Sequence, residues 1–402
     1  MIKSIKISNF CSIGNTQEIS FEISKKDVFD DSATEISDTY INLVNCFIGH
    51  NASGKTTVLK ALSFLFWLMS DSYLSMKSDA LIPVEAHKLF ETELTKFEIE
   101  FFYEEKTFQY IVELDHHHIH REFLGQHIER SYTRIFEYTR SDNDWDFKSS
   151  IEINLNDLQR FKEAKNKSVL SSLFETGYLT YLPIIKKFKT NVTSIGHTTF
   201  DPVRMFLGVS KLLYENVELQ QEALNFIKDA DIGISKFGFS EVMINRENKQ
   251  IDSAEKKYAL ECFHESEVGN FKLPLIEESH GSRHGLALYV AMINLILKSG
   301  GVVILDEFES GLHPYFAKKL IYLFENKETN PHQAQLLFST HQHLLLNDRT
   351  KTQIFIAEKD NKNFETEIFR LDDVEGVRND DNFFNKYLAG TYGGVPNIKW
   401  NT

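Results

Sequence analysis

Residues 49–56 have the types and spacing of a phosphate-binding loop. They read Gly-His-Asn-Ala-Ser-Gly-Lys-Thr and match the pattern G-x-x-x-x-G-K-[ST] in full. The glycines let the backbone curl, so that successive N–H groups and the start of the next helix face the phosphates. We expect Lys55 to reach the β- and γ-phosphates, Thr56 to bind Mg²⁺ and Thr57 to bond an α-phosphate oxygen. The predicted phosphate-binding residues are Gly49, His50, Asn51, Ala52, Ser53, Gly54, Lys55, Thr56 and Thr57.

Two carboxylates follow a short apolar run near the end of the chain. Residues 302–305 are Val-Val-Ile-Leu, typical of a buried strand, and Asp306 and Glu307 come directly after them. Asp306 suits the Mg²⁺ shell, and Glu307 can polarise the water that attacks the γ-phosphate. An acidic pair alone often marks only a solvated strand end. Together with a phosphate loop it indicates hydrolysis, with Glu307 and Lys55 as catalytic residues.

His341 is the third catalytic candidate, because it follows the predicted strand 336–340 and so stands at the same edge of the sheet. There an imidazole could contact the γ-phosphate and sense its loss. The chain has 15 histidines, and a lone histidine is usually structural. Residues 116–118 and His120 are predicted to alternate along a strand and to point to opposite faces, so no metal site is expected there.

Ser279, Gly281 and Arg283 precede a second helical pattern, at residues 286–297. A serine and a glycine at a helix N-terminus provide a cap and an anion site, so a second phosphate-binding element is available here. A helix cap without a ligand is the plainer alternative.

These residues need elements that bring them together. Residues 41–48 predict a strand and residues 56–69 a helix, on either side of the phosphate loop. Apolar runs at 302–305, 335–340 and 353–357 predict further strands joined by helical crossovers, which gives an α/β fold with a parallel sheet. Residues 95–124 alternate and predict an antiparallel β region. We expect residues 1–140 and 271–402 to form the two halves of one head, and residues 141–270 to form an inserted, mostly helical lobe.

Composition limits the partners. The formal net charge of −14 does not indicate a broad DNA-binding surface. Three cysteines without C-x-x-C spacing suit a reducing cytosol. No charge-free apolar run of 18 residues predicts a membrane span, so we expect a cytoplasmic protein.

The order of the motifs resembles that of ABC-type ATPase heads. Residues 49–56, 279–283, 305–314 and 339–341 occur in the sequence used by these heads. Residues 7–12, Ile-Ser-Asn-Phe-Cys-Ser, resemble the start of the SMC and RecF-like branch, with Cys11 where that branch has Arg. The resemblance implies an ABC-type P-loop NTPase head with ATP and Mg²⁺ as cofactors.

Within that branch the chain is most similar to ATP-binding proteins of abortive-infection and restriction-linked loci, of the AbiL and RloA kind. The carriers of this resemblance are residues 229–234, 279–283, 309–314, 335–341, 356–359 and 387–396. It implies a homodimer or higher oligomer closed through nucleotide, in which Ser279 and Gly281 bind the γ-phosphate of the opposite subunit. Residues 310–313 would cross the interface. His280 and Ser282 replace the more usual Asp and Thr.

Two functions stay open at this point. The first is an ATP-hydrolysing sensor or regulator in antiviral defence that acts on a separate effector protein, since the roughly sixty residues after His341 are too few for a nuclease domain. The alternative is a RecF-like DNA repair or recombination ATPase, which would need a basic groove.

Overall fold

The structure is a computed structural model, and it describes residues 1–28, 31–141, 144–179, 182–190, 202–230, 232–243 and 256–396. Asp231, in one of the segments that carry the family resemblance, lies outside the described residues. Within them, no helix is both long and apolar enough to span a bilayer.

The strands run along the chain as follows. They are β1 (Ile2–Ser8), β2 (Gln17–Ser20), β3 (Glu22–Ile23), β4 (Ala33–Ile36), β5 (Thr39–Asn42), β6 (Val44–Ile48), β7 (Thr95–Tyr103), β8 (Lys106–Leu114), β9 (Ile119–Ile128), β10 (Ser131–Arg140), β11 (Trp145–Ser149), β12 (Phe188–Thr190), β13 (Lys236–Met243), β14 (Lys256–His264), β15 (Phe271–Pro274), β16 (Val302–Leu305), β17 (Gln335–Ser339), β18 (Ile354–Lys359) and β19 (Thr366–Arg370).

The α-helices of the described residues are given in chain order. They are α1 (Lys55–Ser70), α2 (Ser72–Ser75), α3 (Leu155–Glu163), α4 (Val169–Glu175), α5 (Pro202–Glu215), α6 (Val217–Lys228), α7 (His280–Leu288), α8 (Asn294–Ser299), α9 (Pro314–Glu325) and α10 (Phe383–Leu388). A π-helical turn over Tyr289–Ile293 joins α7 to α8.

The central sheet has the order β12-β16-β17-β6-β18-β19. All neighbours pair in parallel except β18 and β19, which pair antiparallel at the edge. This confirms the predicted α/β fold with parallel strands and helical crossovers. The strand predicted over residues 41–48 is divided, because β5 ends at Asn42 in a small antiparallel sheet and β6 begins at Val44 in the central one.

A second, antiparallel sheet has the order β11-β10-β9-β8-β7-β1-β2. It contains the predicted antiparallel region 95–124, which is confirmed. Two hydrophobic cores lie on the two faces of the central sheet. Val302 and Ile304 of β16 face the core shared with the antiparallel sheet, whereas Val303 and Leu305 face the core formed with α6, α7 and α9. Helix α1 is buried between the two sheets, with 13 of its 16 residues inaccessible to solvent.

The segment predicted as a mostly helical insertion contains strands as well as helices. Strand β11 completes the antiparallel sheet through pairing with β10, and β12 joins the central sheet beside β16. Strand β14 pairs with β13 on one side and β15 on the other, and α5 and α6 contribute to the core that holds α7. In the described residues, therefore, 141–270 is shared between the two halves of the head. Local helical spacing does not reveal the pairing of β12 with β16, because these two strands lie more than a hundred residues apart in the sequence.

Candidate active site

The phosphate loop lies between β6 and α1, at the carboxyl edge of the central sheet. Gly49 and Gly54 have φ angles of +149° and +108°, and a side chain at either position would collide with neighbouring atoms. At Gly54 an added Cβ would lie 2.2 Å from Thr366 Oγ1. Strand β19, on which Thr366 lies, therefore requires glycine at this point of the loop.

Lys55 is buried at the start of α1, and its ammonium group is held by the loop itself. Lys55 Nζ donates to the carbonyl oxygens of Gly49, at 2.9 Å, and His50, at 3.1 Å. Burial lowers the pKa of Lys55, whereas the nearby Glu307 and Asp306 raise it. The positive charge is thus poorly solvated and lies near two carboxylates. A phosphate group bound in the loop would give this charge a closer anionic partner.

Thr56 and Asp306 meet across the edge of the sheet. Thr56 Oγ1 donates to Asp306 Oδ1 at 3.1 Å, and Ser339 Oγ donates to the same oxygen at 2.5 Å. A hydroxyl and a carboxylate oxygen in contact are the hard ligands that Mg²⁺ prefers, so these two residues fit a magnesium ion. Ser339 belongs to the motif 339–341 but was given no role, and its bond to Asp306 follows from β17 lying beside β16.

Glu307 is placed next to His341 by two unusual features. Its own φ is +47°, a left-handed conformation that costs a non-glycine residue about 1–3 kcal/mol. The Glu307 N–H donates to Ser339 Oγ at 3.0 Å, which holds this conformation. Its carboxylate, half exposed, lies 3.1 Å from His341 Nε2. The candidate base and the candidate sensor are therefore in direct contact.

These groups surround a cleft of about 570 Å³ that we call the phosphate-loop cleft. Its lining residues are Cys11, Ser12, Asn51, Ala52, Gly54, Lys55, Thr56, Thr57, Glu307, His341 and Lys359. The predicted loop residues Gly49, His50 and Ser53 are not part of this lining. Cys11, Ser12 and Lys359 are additional lining residues that were not predicted.

The hydroxyl of Thr57 is engaged with the N-terminal turn of the chain. Thr57 Oγ1 lies 2.9 Å from Ser12 Oγ, and Thr366 Oγ1 donates both to Ser12 Oγ and to the Ser53 carbonyl. The turn after β1 and the start of β19 thus support the phosphate loop. Sequence alone would not have identified Ser12 or Thr366 as part of this site.

Ser279 and Gly281 lie in a different cleft, of about 640 Å³, which we call the signature cleft. Its lining residues are Asp229, Ala230, Ile232, Ser279, Gly281, Ser282, Gly311, His313, Tyr315, Phe316 and Lys319. Ser279 caps α7 by accepting from the Ser282 N–H at 3.1 Å. A Cβ at Gly281 would lie 2.6 Å from the Gly311 carbonyl oxygen, so the start of α7 and the loop that contains Gly311 are in close contact.

Arg283 is the predicted binding residue that lies apart from both clefts. Its guanidinium donates to the Ile276 carbonyl at 2.6 Å and lies over the ring of Phe206. Arg283 therefore holds the first turn of α7 against Ile276 and Phe206. The structure brings Lys55, Thr56, Asp306, Glu307 and His341 together and places Ser279 and Gly281 elsewhere on the chain.

Comparison with known families identifies the family of this chain. Residues 44–347 match the family described as "AAA domain, putative AbiEii toxin, Type IV TA system". The chain belongs to this AAA-domain family. The matched range includes the phosphate loop, Ser279, Asp306, Glu307 and His341, so the family covers every predicted site residue. Among curated proteins, none matches the chain.

Solved structures similar to this AAA-domain chain include SMC heads. The SMC head domain from Thermotoga maritima is 13% identical with a TM-score of 0.42, and the match covers 92% of this chain and 98% of that one. An Smc head bound to the C-terminal winged-helix domain of ScpA is 13% identical with a TM-score of 0.46, over 92% and 96%. A Pyrococcus furiosus Smc head with an extended coiled coil, bound to the C-terminal domain of ScpA, is 12% identical with a TM-score of 0.43, over 92% and 97%.

Glu309 is a further residue of the AAA-domain site to which sequence analysis gave no role. It is buried, and one carboxylate oxygen accepts from the backbone N–H groups of His341, at 2.7 Å, and Gln342, at 3.3 Å. The Gln342 amide in turn donates to the carbonyl of Leu312 at 3.0 Å. Glu309 and Gln342 thus connect the segment carrying His341 with the loop beside Gly281.

Proposed function

We propose that this protein is a Mg²⁺-dependent ATPase that hydrolyses ATP to ADP and phosphate. The observation that carries the proposal is the meeting of Lys55, Thr56, Glu307 and His341 at one cleft, with Asp306 bonded to Thr56 beside it. They come from the phosphate loop and from the ends of two other strands. A cation for the phosphates, two magnesium ligands and a positioned base are the groups that γ-phosphate hydrolysis requires.

Each residue then has a distinct task. Lys55 binds the phosphates, and Thr56 with Asp306 holds Mg²⁺, which neutralises charge on the phosphate oxygens when it is bound. Glu307 accepts a hydrogen bond from the attacking water and takes its proton. His341, in contact with the Glu307 carboxylate, orients that carboxylate and responds to loss of the γ-phosphate.

We also propose that two copies close around two nucleotides. The two clefts have no lining residue in common, so the Ser279 hydroxyl and the start of α7 do not complete the phosphate-loop cleft of their own chain. A helix N-terminus with a serine and a close-packed glycine is suited to bind phosphate oxygens. A second copy in two-fold symmetry supplies this surface to both clefts at once.

The cellular role that we propose is an ATP-driven sensor or regulator in antiviral defence, acting on a separate effector. The family description, which names a toxin and a TA system, supports a defence role. The charge of −14 favours a protein effector over DNA as the partner. If the chain were itself the toxic component, its expression alone would arrest growth, and Glu307→Gln would alter that effect.

The proposed hydrolysis is tested by comparing wild type with Glu307→Gln and Glu328→Gln, an exposed glutamate outside the cleft. Glu307→Gln should lower ATP turnover about 10²–10⁴-fold, the range of general-base catalysis, and should retain ATP and lengthen the life of the dimer. Glu328→Gln should behave as wild type. Unaltered turnover in Glu307→Gln would refute the assigned base. A single copy in solution with a nonhydrolysable ATP analogue and Mg²⁺ would refute the dimer.

A further inference from the structure

The turn between β8 and β9 is fixed by Asp115. Asp115 Oδ1 accepts from the backbone N–H groups of His117, at 2.6 Å, and His118, at 2.8 Å. The Asp115 N–H donates to the His118 carbonyl at 3.0 Å, which closes the turn. One carboxylate oxygen is therefore used to hold the backbone, and the orientation of the second is set by the first.

That second oxygen lies among histidine nitrogens. Asp115 Oδ2 is 2.7 Å from His120 Nε2, and the rings of His118 and His120 are nearly perpendicular with centroids 6.1 Å apart. One donor atom from each of Asp115, His118 and His120 lies within 4.8 Å of the others. Among the described residues, no other group of three His, Cys, Asp or Glu side chains converges in this way.

We propose that Asp115, His118 and His120 form a binding site for one divalent transition-metal ion of the zinc class. Imidazole nitrogens suit Zn²⁺, Ni²⁺ and Co²⁺, and these ions accept a carboxylate oxygen alongside them. Ligands about 2.1 Å from a tetrahedral ion are about 3.4 Å apart, which lies inside the spacing of these three groups. Asp115 and His120 are about one-third exposed, so the ion reaches the site from solvent and keeps a water as a further ligand.

The site was missed in the sequence because residues 116–118 were expected to continue an alternating strand. In the structure β8 ends at Leu114, and the turn brings the Asp115 carboxylate to His118 and His120, which as residues two apart already share one face of a strand. The prediction that these histidines would not converge is wrong for this pair. His116 and His117 do not belong to the group and serve as matched controls.

The turn that would hold the proposed ion is bonded to two other segments of the chain. The Ile82 N–H donates to the His116 carbonyl at 2.7 Å, and the Ile119 N–H donates to the Lys165 carbonyl at 3.0 Å. The turn therefore lies between the segment after α2 and the segment after α3. An ion that binds the folded turn and not the unfolded chain raises the melting temperature, and the rise grows with the logarithm of one plus the ratio of ion concentration to Kd.

The test uses the full chain, stripped with a chelator and titrated with Zn²⁺ or Co²⁺ in millimolar Mg²⁺, which occupies hard-oxygen sites such as Thr56 and Asp306. We expect one ion per chain, a Co²⁺ absorption spectrum of a nitrogen–oxygen site, and a rise in melting temperature with Zn²⁺. The double variant His118→Ala/His120→Ala should lose all three, whereas His116→Ala/His117→Ala should keep them. Asp115→Asn, which still accepts the two turn N–H groups, should bind at least about tenfold more weakly.

Two results would overturn the proposal. If both double variants lose binding equally, the metal is held by an undifferentiated histidine-rich surface. If wild type binds no Zn²⁺ or Co²⁺ in millimolar Mg²⁺, Asp115 and His120 form only an ion pair. The circular dichroism spectrum of each variant without metal checks that the fold is retained, so neither result can be attributed to unfolding.

Discussion

The phosphate-loop cleft and the signature cleft differ in the groups that they offer. The first contains a buried lysine facing carboxylates, and the backbone N–H groups of Glu307 and His341 are held there by donating to Ser339 Oγ and to the Glu309 carboxylate. The second offers a helix start, a serine and glycines in close backbone contact. One cleft has the chemistry for hydrolysis and the other has donors for phosphate oxygens. Under the proposed dimer, each complete site would combine one cleft of each kind from two copies.

The two clefts are nevertheless connected within the chain. Glu309 holds the backbone of His341 on one side, and Gln342 reaches the carbonyl of Leu312 on the other. A change in the position of His341 therefore acts directly on the loop that packs against Gly281. This contact gives a physical route by which hydrolysis in one cleft can alter the surface that a partner copy would meet.

The largest effect should come from Lys55→Ala. Loss of its charge removes the cation that binds the phosphates, so nucleotide affinity should fall and turnover should drop about 10²–10³-fold or more. Fluorescent-ATP binding and phosphate release measure the two effects. The control is Lys60→Ala, on the same helix but outside the cleft lining. Equal ATP affinity in Lys55→Ala and wild type would show that the phosphate-loop cleft does not bind nucleotide through Lys55.

The next effect separates the clefts by complementation. Gly281→Ala places a Cβ against the Gly311 carbonyl and should prevent the trans contact while leaving nucleotide binding by the single chain intact. Lys55→Ala and Gly281→Ala should each be inactive. An equal mixture should regain about a quarter of wild-type turnover, because half of the dimers are mixed and each mixed dimer has one intact pair of clefts. No recovery would contradict the sharing of clefts between copies.

A smaller effect is expected from the link between the clefts. Glu309→Ala leaves the His341 and Gln342 N–H groups without their acceptor and should lower the free energy of unfolding by about 1–3 kcal/mol. Glu309→Gln keeps one acceptor oxygen and should lose less. Urea unfolding measures stability, and turnover per folded molecule measures coupling. If turnover per folded molecule is unchanged in Glu309→Ala, the link has no role in catalysis.

The smallest effect is a pH dependence of stability. Burial lowers the pKa of His284, beside the signature cleft, from its usual 6.5, and burial also lowers the pKa of His343. Just below pH 6.5 the unfolded chain takes up protons that these folded histidines do not. The contribution of these two histidines to the free energy of unfolding is therefore fully present above pH 6.5 and decreases as the pH falls below it. Urea midpoints at pH 7.5 and 5.5 should differ less in His284→Gln than in wild type, and an equal difference would exclude His284 as a contributor.

Much of the fold and the main motifs were predictable. The phosphate loop, the strand before Asp306 and the strand before His341 are short, contiguous patterns, and local sequence determines them. The roles of Ser339, Glu309 and Ser12 were not predictable, because each acts through a hydrogen bond to a residue far away in sequence. The addition of β12 to the central sheet was not predictable for the same reason, since its partner β16 is distant in sequence.

By itself, the sequence determined that this protein has a phosphate loop, an acidic pair after a buried strand and an α/β head, because backbone geometry and hydrophobic spacing act over a few neighbouring residues. Only the tertiary structure decided which side chains share a cleft. The order of strands in the central sheet brings Thr56 and Asp306, 250 positions apart, within hydrogen-bonding distance. It also leaves Ser279 and Gly281 in a cleft of their own. The turn at Asp115 likewise brings its carboxylate to His118 and His120, where strand alternation would have placed Asp115 on the opposite face.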